Sequence, residues 1–277
     1  MEVSSASPTP PLRTLPCSTL AGDWQMAIDA WLLEQGAPAF RLYRWSRPTL
    51  SLGFHQRRIE PHWEALAAAG AFQLVRRPSG GRAVLHAGDL TYALIWPNPP
   101  RQRPQAYALA SSWLLQAFAG MGLPLERGQQ AVSLQRSSCF ATSTSADLVH
   151  AGGAKRIGSA QLWRRGCLLQ HGSILVDPPT ELWRQVFGSP PPALPPLPLE
   201  AGALEAALTA AALAALPTAV GGHRTRALSA RELAQIAPDR AAYAVGVTDD
   251  GLTGRSSLAS PEASIERTTW GRARPRG

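Results

Sequence analysis

One lysine, Lys155, and 26 arginines make up the 27 basic residues of this chain. On a solvated surface either residue serves, but only lysine places a compact ammonium at the end of a flexible stem. Lys155 lies in the glycine-rich segment 152–161, the kind of loop that delivers a side chain to a cleft. We therefore expect Lys155 to be a functional cation; the alternative is a lysine that merely escaped a compositional drift toward arginine.

A second candidate is the segment Arg76–Arg82, of sequence Arg-Arg-Pro-Ser-Gly-Gly-Arg, which follows a predicted strand. Adjacent glycines let consecutive backbone N–H groups point into one concavity, and arginines on both sides favour an anion or a polarised carbonyl. An ordinary hairpin turn is the alternative. The segment is not a nucleotide-binding Walker loop, because the required Gly-Lys-Ser/Thr ending is absent.

The third candidate is the Gln-His-Gly-Ser sequence at Gln170–Ser173, in the middle of a predicted apolar strand. A glycine there permits a close backbone approach, and polar groups replace the usual Val or Ile. His171 is either catalytic or a hydrogen-bonded structural histidine. Cys167, beside apolar residues, is interpreted as a buried core thiol.

Cys139 lies in a polar segment behind Arg136, without helix or strand periodicity. Exposure and nearby cations favour a reactive thiolate, although most isolated loop cysteines are incidental. The imidazoles that could serve it as a base are His86, His150 and His171.

Helical periodicity over Asp23–Leu33 and strand patterns such as Phe40–Trp45, Leu90–Trp96 and Cys167–Asp177 predict a sheet flanked by helices. The strands and helices do not alternate regularly, which favours an α+β fold with a mixed sheet over a doubly wound one. We expect one domain over residues 21–245, a disordered N-terminal tail over residues 1–20, and a poorly ordered basic tail over residues 246–277.

The formal net charge of +8 points to acidic partners. The chain shows no zinc-finger spacing and no aromatic RNP-like strand, so nucleic acid is not expected. The most apolar stretch, Leu204–Leu216, is too short to span a bilayer, and residues 1–20 do not resemble a secretory signal. Three cysteines without paired spacing argue against a disulfide framework or a zinc site. These features predict a cytoplasmic protein with no membrane partner and no metal.

Five motifs in order over about Asp23–Phe187 resemble the biotin/lipoate protein ligase superfamily, in its lipoate ligase and octanoyltransferase branch. They are Trp24–Asp29, Leu50–Gln56, Arg76–His86, Lys155–Gln161 and Leu169–Leu175. The resemblance implies a catalytic domain with a mixed, largely antiparallel sheet and flanking helices. It assigns the Arg76–Arg82 loop to the activated acyl group and Lys155 to its carbonyl. The residues it implies are catalytic Cys139 and Lys155, and substrate-binding Arg76, Arg77, Ser79, Gly80, Gly81, Arg82, His86, Gly158, Ser159, His171 and Gly172.

Within that branch the chain is most similar to the cysteine-dependent octanoyltransferases. Arg82 replaces the third glycine of the ATP-dependent ligases, and Ser137–Phe140 resembles the segment that carries the nucleophile, with one residue deleted before Cys139. Ala87 replaces the aspartate that usually follows His86, which puts the role of His86 in question.

The resemblance implies transfer of an octanoyl or lipoyl group from an acyl carrier protein to a lysine of a lipoyl domain. Acceptors would be the glycine cleavage H protein or a 2-oxoacid dehydrogenase E2, and no cofactor would be needed. The alternatives are an ATP- and Mg-dependent lipoate–protein ligase and a non-catalytic module that binds acyl carriers.

Overall fold

The structure is a computed structural model that describes residues 10–128, 146–219 and 221–246. Cys139 and the basic tail from residue 247 onward therefore lie outside the described residues. The helices are α1 (Gly22–Gln35), α2 (Pro61–Ala68), α3 (Arg103–Gly120), α4 (Thr180–Phe187), α5 (Ala201–Ala215) and α6 (Ala230–Ile236), with short 3-10 helices at Pro217–Ala219 and Ala237–Ala242. The strands are β1 (Leu12–Leu20), β2 (Ala39–Trp45), β3 (Thr49–Leu52), β4 (Gln73–Arg76), β5 (Val84–His86), β6 (Asp89–Pro97), β7 (Glu126–Arg127), β8 (Leu148–Val149), β9 (Lys155–Arg164), β10 (Cys167–Leu175) and β11 (His223–Thr225).

Two sheets make up the β-structure of the described residues. The large sheet has the strand order β11-β1-β2-β6-β10-β9-β8-β7, and the small one has the order β4-β3-β5. Strand β1 runs parallel to β2 and β11, whereas β2, β6, β10, β9, β8 and β7 pair antiparallel in turn. The prediction of an α+β fold with a mixed, largely antiparallel sheet is confirmed. The separate small sheet was not predicted.

The large sheet is covered on both faces because its central strands are apolar on both sides. On β6, Tyr92 and Leu94 face a cluster that includes Trp113 of α3 and Leu208 of α5. The alternate residues Ala93 and Ile95 belong to a second cluster with Met26 and Ile28 of α1. This two-residue period is the geometry of a strand packed between two layers.

The small sheet packs with α2 and α4 in a third cluster, which contains Leu50, Leu74, Trp63 and Trp183. Among the described residues no helix is both long and apolar enough to cross a membrane.

The expectation of a disordered tail up to residue 20 is wrong for Leu12–Leu20. These residues form β1 inside the large sheet, with Leu12 fully buried and Leu15 nearly so. The sequence pattern of this strand is interrupted at Pro16, which has no N–H to donate to a neighbouring strand. The pairing with β2 is irregular at the same place, between Leu15 and Ser18. Arg13 of β1 also forms an ion pair with Glu232 of α6, with 2.7 Å between the two charged groups.

Candidate active site

A pocket with an empty volume of about 480 Å³, counting space open to solvent, is lined by residues of both sheets. The small sheet and its loop contribute Ser51, Arg77, Gly81, Val84 and His86. The remaining lining residues come from α1 and the large sheet: Met26, Tyr43, Trp45, Thr91, Gly158, Ser159, Ala160, His171, Gly172 and Ser173. Because most of the lining atoms are apolar, the pocket suits a ligand with a hydrocarbon portion.

The conformation of the Arg76–Arg82 loop is set by Arg77, which is buried. Its guanidinium donates hydrogen bonds to the carbonyls of Ser51 at 2.9 Å, Gly80 at 2.8 and 3.1 Å, and Arg82 at 2.6 Å. Backbone carbonyls thus occupy the donors that were expected to bind a ligand. Arg77 still lines the pocket, and its first role is to shape the loop.

The loop approaches its neighbour through two glycines. A Cβ atom on Gly53 would lie 1.9 Å from the carbonyl oxygen of Gly81, so only glycine fits at residue 53. Gly81 itself has a φ of 95°, in the region that favours glycine. Gly81 lines the pocket, whereas Gly80, its predicted companion in the loop, is not a lining residue.

A buried chain of polar groups ties the loop to the opposite wall. The Ser79 hydroxyl lies 2.5 Å from Nε2 of His171, and Nδ1 of His171 lies 2.9 Å from Oδ2 of Asp29. Arg41 donates to Oδ1 of the same carboxylate at 2.6 and 2.9 Å, and the Tyr43 hydroxyl donates to Oδ2 at 3.0 Å. Burial alone raises the pKa of Asp29, but Arg41 and His171 outweigh it and the pKa is lowered.

A second chain of the same kind ends at His86. Arg77 donates to the Ser51 hydroxyl at 3.2 Å, and that hydroxyl lies 2.8 Å from Nε2 of His86. Nδ1 of His86 lies 2.8 Å from Oδ2 of Asp89. The indole of Trp45 stacks on the imidazole with ring centroids 3.9 Å apart. Burial is the largest cause of the lowered pKa of His86, and Asp89 opposes it. The lowered pKa favours the neutral imidazole.

His86 has a carboxylate partner even though Ala87 replaces the aspartate that usually follows this histidine. Asp89, two residues further along, supplies the carboxylate through the turn into β6, and it also accepts hydrogen bonds from Thr91 and Ser173.

Lys155 begins β9, is 3% exposed, and forms an ion pair with Asp147 at 3.0 Å. It does not line the pocket, but Gly158 and Ser159 on the same strand do. The Ser159 hydroxyl lies 2.8 Å from that of Tyr92. The structure therefore buries the lysine in an ion pair at the start of the strand that supplies part of the pocket wall.

Gly172 has the close approach that the sequence predicted. A Cβ atom there would lie 2.6 Å from the Tyr92 ring and 2.8 Å from the carbonyl of Gly158. The approaching groups belong to neighbouring strands, so this glycine serves sheet packing as well as the pocket wall.

Of the candidate residues, seven line one pocket: Arg77, Gly81, His86, Gly158, Ser159, His171 and Gly172. Arg76, Ser79, Gly80 and Arg82 adjoin those residues in the chain or through hydrogen bonds without lining the pocket. Lys155 lies on the same strand as Gly158 and Ser159 and pairs with Asp147. Of the apolar residues of the small sheet, Val84 lines the pocket, whereas Leu52 and Leu85 are fully buried in its core.

Sequence reasoning missed the buried carboxylates Asp29, Asp89 and Asp147. Asp29 could have been noticed, because a carboxylate between Ile28 and Leu32 on the apolar side of a helix needs a partner. No such signal marks Asp147. Chemically, the pocket combines apolar walls with two imidazoles and a glycine loop, which suits an acyl chain that ends in a carbonyl group.

Comparisons with known proteins agree with this geometry. The family model for the lipoyl protein ligase A/B catalytic domain matches residues 22–193. An octanoyltransferase LipM from Kyrpidia tusciae is 40% identical over 170 residues, which cover 56% of this chain and 62% of that protein. The chain thus spans less than two thirds of the length of the curated relatives it matches.

Solved structures share the fold at low identity. A putative lipoate protein ligase from T. acidophilum with bound lipoic acid has a TM-score of 0.68 at 19% identity, covering 83% of this chain and 94% of that one. A bipartite lipoate protein ligase with its E2 lipoyl domain from Thermoplasma acidophilum has a TM-score of 0.64 at 16% identity, covering 83% and 92%. With 172 of its 277 residues inside the matched range 22–193, the chain belongs to the lipoyl protein ligase A/B catalytic domain family.

Proposed function

We propose that this chain is a protein octanoyltransferase of lipoate assembly. It would move an octanoyl group from a carrier-protein thioester to a lysine of a lipoyl domain. The observation that carries the proposal is the apolar pocket closed by the Arg76–Arg82 loop, in a chain 40% identical to a protein named as an octanoyltransferase.

The acyl chain would lie against Met26, Trp45 and Val84, which give the pocket much of its apolar surface. Its carbonyl carbon would lie near Gly81, where the loop backbone offers N–H groups. Preorganised donors of this kind stabilise a developing oxyanion by about 2.7–4 kcal/mol each. Lys155, held by Asp147, would add a positive charge from the adjoining strand.

In the first step, the Cys139 thiolate attacks the thioester carbonyl and the bond from that carbon to the carrier sulfur breaks. The carrier leaves as a thiol after taking up a proton, and the octanoyl group remains on Cys139. Arg136, which precedes Cys139 closely in the sequence, would favour the thiolate.

In the second step, the neutral ε-amine of the acceptor lysine attacks the acyl-enzyme carbonyl. A C–N bond forms, the C–S bond breaks, the amine loses a proton, and the Cys139 thiol is restored. Because the thioester brings its own activation, neither ATP nor magnesium would take part.

The partners would be an acyl carrier protein as donor and lipoyl domains as acceptors, such as the glycine cleavage H protein or an E2 protein. One structural neighbour, the bipartite ligase from Thermoplasma acidophilum, is described together with its E2 lipoyl domain. A net charge of +8 suits acidic partners, and the site of action would be the cytoplasm.

The test incubates the protein with octanoyl-carrier protein and measures its intact mass, then adds an apo lipoyl domain without ATP. We expect one octanoyl group on the protein, then transfer to the lipoyl domain, and loss of both in Cys139→Ala. Cys167→Ala and Cys17→Ala are the matched controls. Burial raises the pKa of Cys167, and partial desolvation together with Glu205 raises the pKa of Cys17 to about 11 although this residue is exposed, so neither thiol is poised to attack.

Full transfer by Cys139→Ala would refute the acyl-enzyme mechanism. Formation of product only from octanoic acid with ATP, with release of AMP, would instead establish the ligase alternative.

A further inference from the structure

Three arginines, which we call the mouth arginines, lie on two adjoining loops beside the pocket: Arg57, Arg76 and Arg82. Nη1 of Arg76 donates to the carbonyl of Gly53 at 3.0 Å and to that of Gln56 at 2.5 Å. This brings Arg76 against the segment that continues into Arg57.

The same segment touches the loop that carries Arg82. The Phe54 amide donates to the carbonyl of Ser79 at 2.9 Å, and Gly53 packs directly on Gly81. Gly81 is both exposed and part of the lining, so it marks the rim of the pocket. Arg82 follows it immediately in the chain.

No carboxylate of the described residues forms an ion pair with any of the mouth arginines. Glu60, the acidic residue nearest in the chain, pairs with the exposed Arg58 instead, at 3.6 Å. Burial, followed by repulsion from Arg57, lowers the pKa of Arg76, so the positive charges at the rim are close enough to oppose one another.

Arg82 also carries an unused donor. Its Nη1 is buried and has no hydrogen-bond partner within the described part of the chain. A buried donor without a partner is unusual and costly in a native protein, and a bound group is one of the ways in which it is satisfied. Guanidinium groups match the oxygens of phosphate in particular, since their N–H donors form a rigid fork.

We propose that the mouth arginines bind the phosphodiester of the pantetheine arm that carries the acyl thioester. This inference rests on the proposed function, because that function supplies a donor with an anion outside the pocket. With the acyl chain inside and the thioester near Gly81, the arm leads outward past the rim. A free fatty acid has no such phosphate, so the mouth arginines would select the carrier-bound donor.

The experiment compares two small donors that differ only in this group, octanoyl-4′-phosphopantetheine and octanoyl-pantetheine. Transfer to an apo lipoyl domain gives kcat/KM for each with the wild type. Calorimetry with Cys139→Ala, which the donors would not acylate, gives the affinity of each without turnover. We expect a preference of at least tenfold for the phosphorylated donor in both measurements, chiefly through KM.

The test variant is Arg57→Gln combined with Arg82→Gln, in which the preference falls to about threefold or less. Arg224→Gln, which removes an exposed arginine of β11 at the far edge of the large sheet, is the matched control and keeps the tenfold preference. Thermal unfolding of all three proteins shows whether the folds are equivalent.

Equal use of the two donors by the wild type, with equal binding of both by Cys139→Ala, would overturn the inference while leaving the proposed function intact. An equal loss with both donors in the test variant would overturn it as well, because the arginines would then not act on the phosphate. Absence of transfer from either donor and from octanoyl-carrier protein would contradict the proposed function, and calorimetry would still decide whether phosphate is recognised.

Discussion

Replacing Asp29 with asparagine removes one negative charge from the interior and changes almost no volume. The carboxylate is fully buried and accepts from Arg41, Tyr43 and His171. Arg41 is only 2% exposed, and without Asp29 its guanidinium keeps two hydrogen bonds to Gln25 but no counter-charge. The variant therefore leaves an uncompensated charge in the core.

Breaking a buried ion pair from one side costs about 3–5 kcal/mol. For a domain of this size each kcal/mol lowers the unfolding midpoint by about 2–4 °C, so Asp29→Asn should lower it by roughly 6–20 °C. Native domains are stable by about 5–15 kcal/mol, and the variant therefore loses a large fraction of the total.

Urea unfolding followed by tryptophan fluorescence, together with thermal unfolding, measures this loss. The double variant Asp29→Asn/Arg41→Gln should recover at least about 1 kcal/mol relative to the single variant, because no unpaired charge remains. Glu34→Gln, which removes a partly exposed partner of Arg164 and Arg165, is the control and should cost less than about 1 kcal/mol. A loss below about 1 kcal/mol in Asp29→Asn, or no recovery in the double variant, would refute the reasoning.

Three further predictions concern the pocket. Lys155→Arg should lower kcat/KM for octanoyl transfer at least tenfold, although Asp147 still pairs with the new side chain. The circular dichroism spectrum should be unchanged. A normal rate would mean that the solitary lysine is an accident of composition. Because the folded-state pKa of His86 lies below that of the unfolded chain, the unfolded state binds more protons just below pH 6.5. The free energy of unfolding should therefore fall as the pH drops through this window, and His86→Gln should flatten that slope; an unchanged slope would rule out His86 as its source. Gly172→Ala should lower the unfolding midpoint by several degrees, because the added methyl group would lie under 3 Å from the Tyr92 ring and the Gly158 carbonyl. A midpoint equal to that of the wild type would show that the neighbouring strands accommodate the methyl group without a loss of stability.

The sequence predicted the large sheet and its helices well where apolar periodicity was strong. The helix predicted over Asp23–Leu33 is found over Gly22–Gln35, and the strands β6 and β10 are found close to their expected bounds. It failed at β1, whose pattern Pro16 interrupts, and it overlooked α6 although Ser229 and Glu232 form a capping box that the sequence displays. Strands of two or three residues, such as β7, β8 and β11, depend on distant partners and carry no local signal.

Many residues of the site could be predicted from the sequence, but the contacts between them could not. The glycine loop and His171 were singled out from residue types, and Gly158 and Ser159 from the family resemblance; the structure brings them to one pocket. Which carboxylate serves which histidine depends on tertiary contacts, since Asp29 and His171 are 142 residues apart in the chain. Likewise, no local sequence pattern predicts that the guanidinium of Arg77 donates its hydrogen bonds to backbone carbonyls.

The parallel pairing of β11 with β1 has a consequence for how the chain is made. Leu12–Thr14 of β1 pair with residues 223–225, so the outer edge of the first strand has no partner until more than 200 further residues have left the ribosome. At about 5–20 residues per second this takes roughly 10–40 s. During that time the nascent chain carries an open strand edge, which is the kind of surface on which molecular chaperones act. Among the strands of the described residues, the last to be synthesised therefore pairs with the edge of the first.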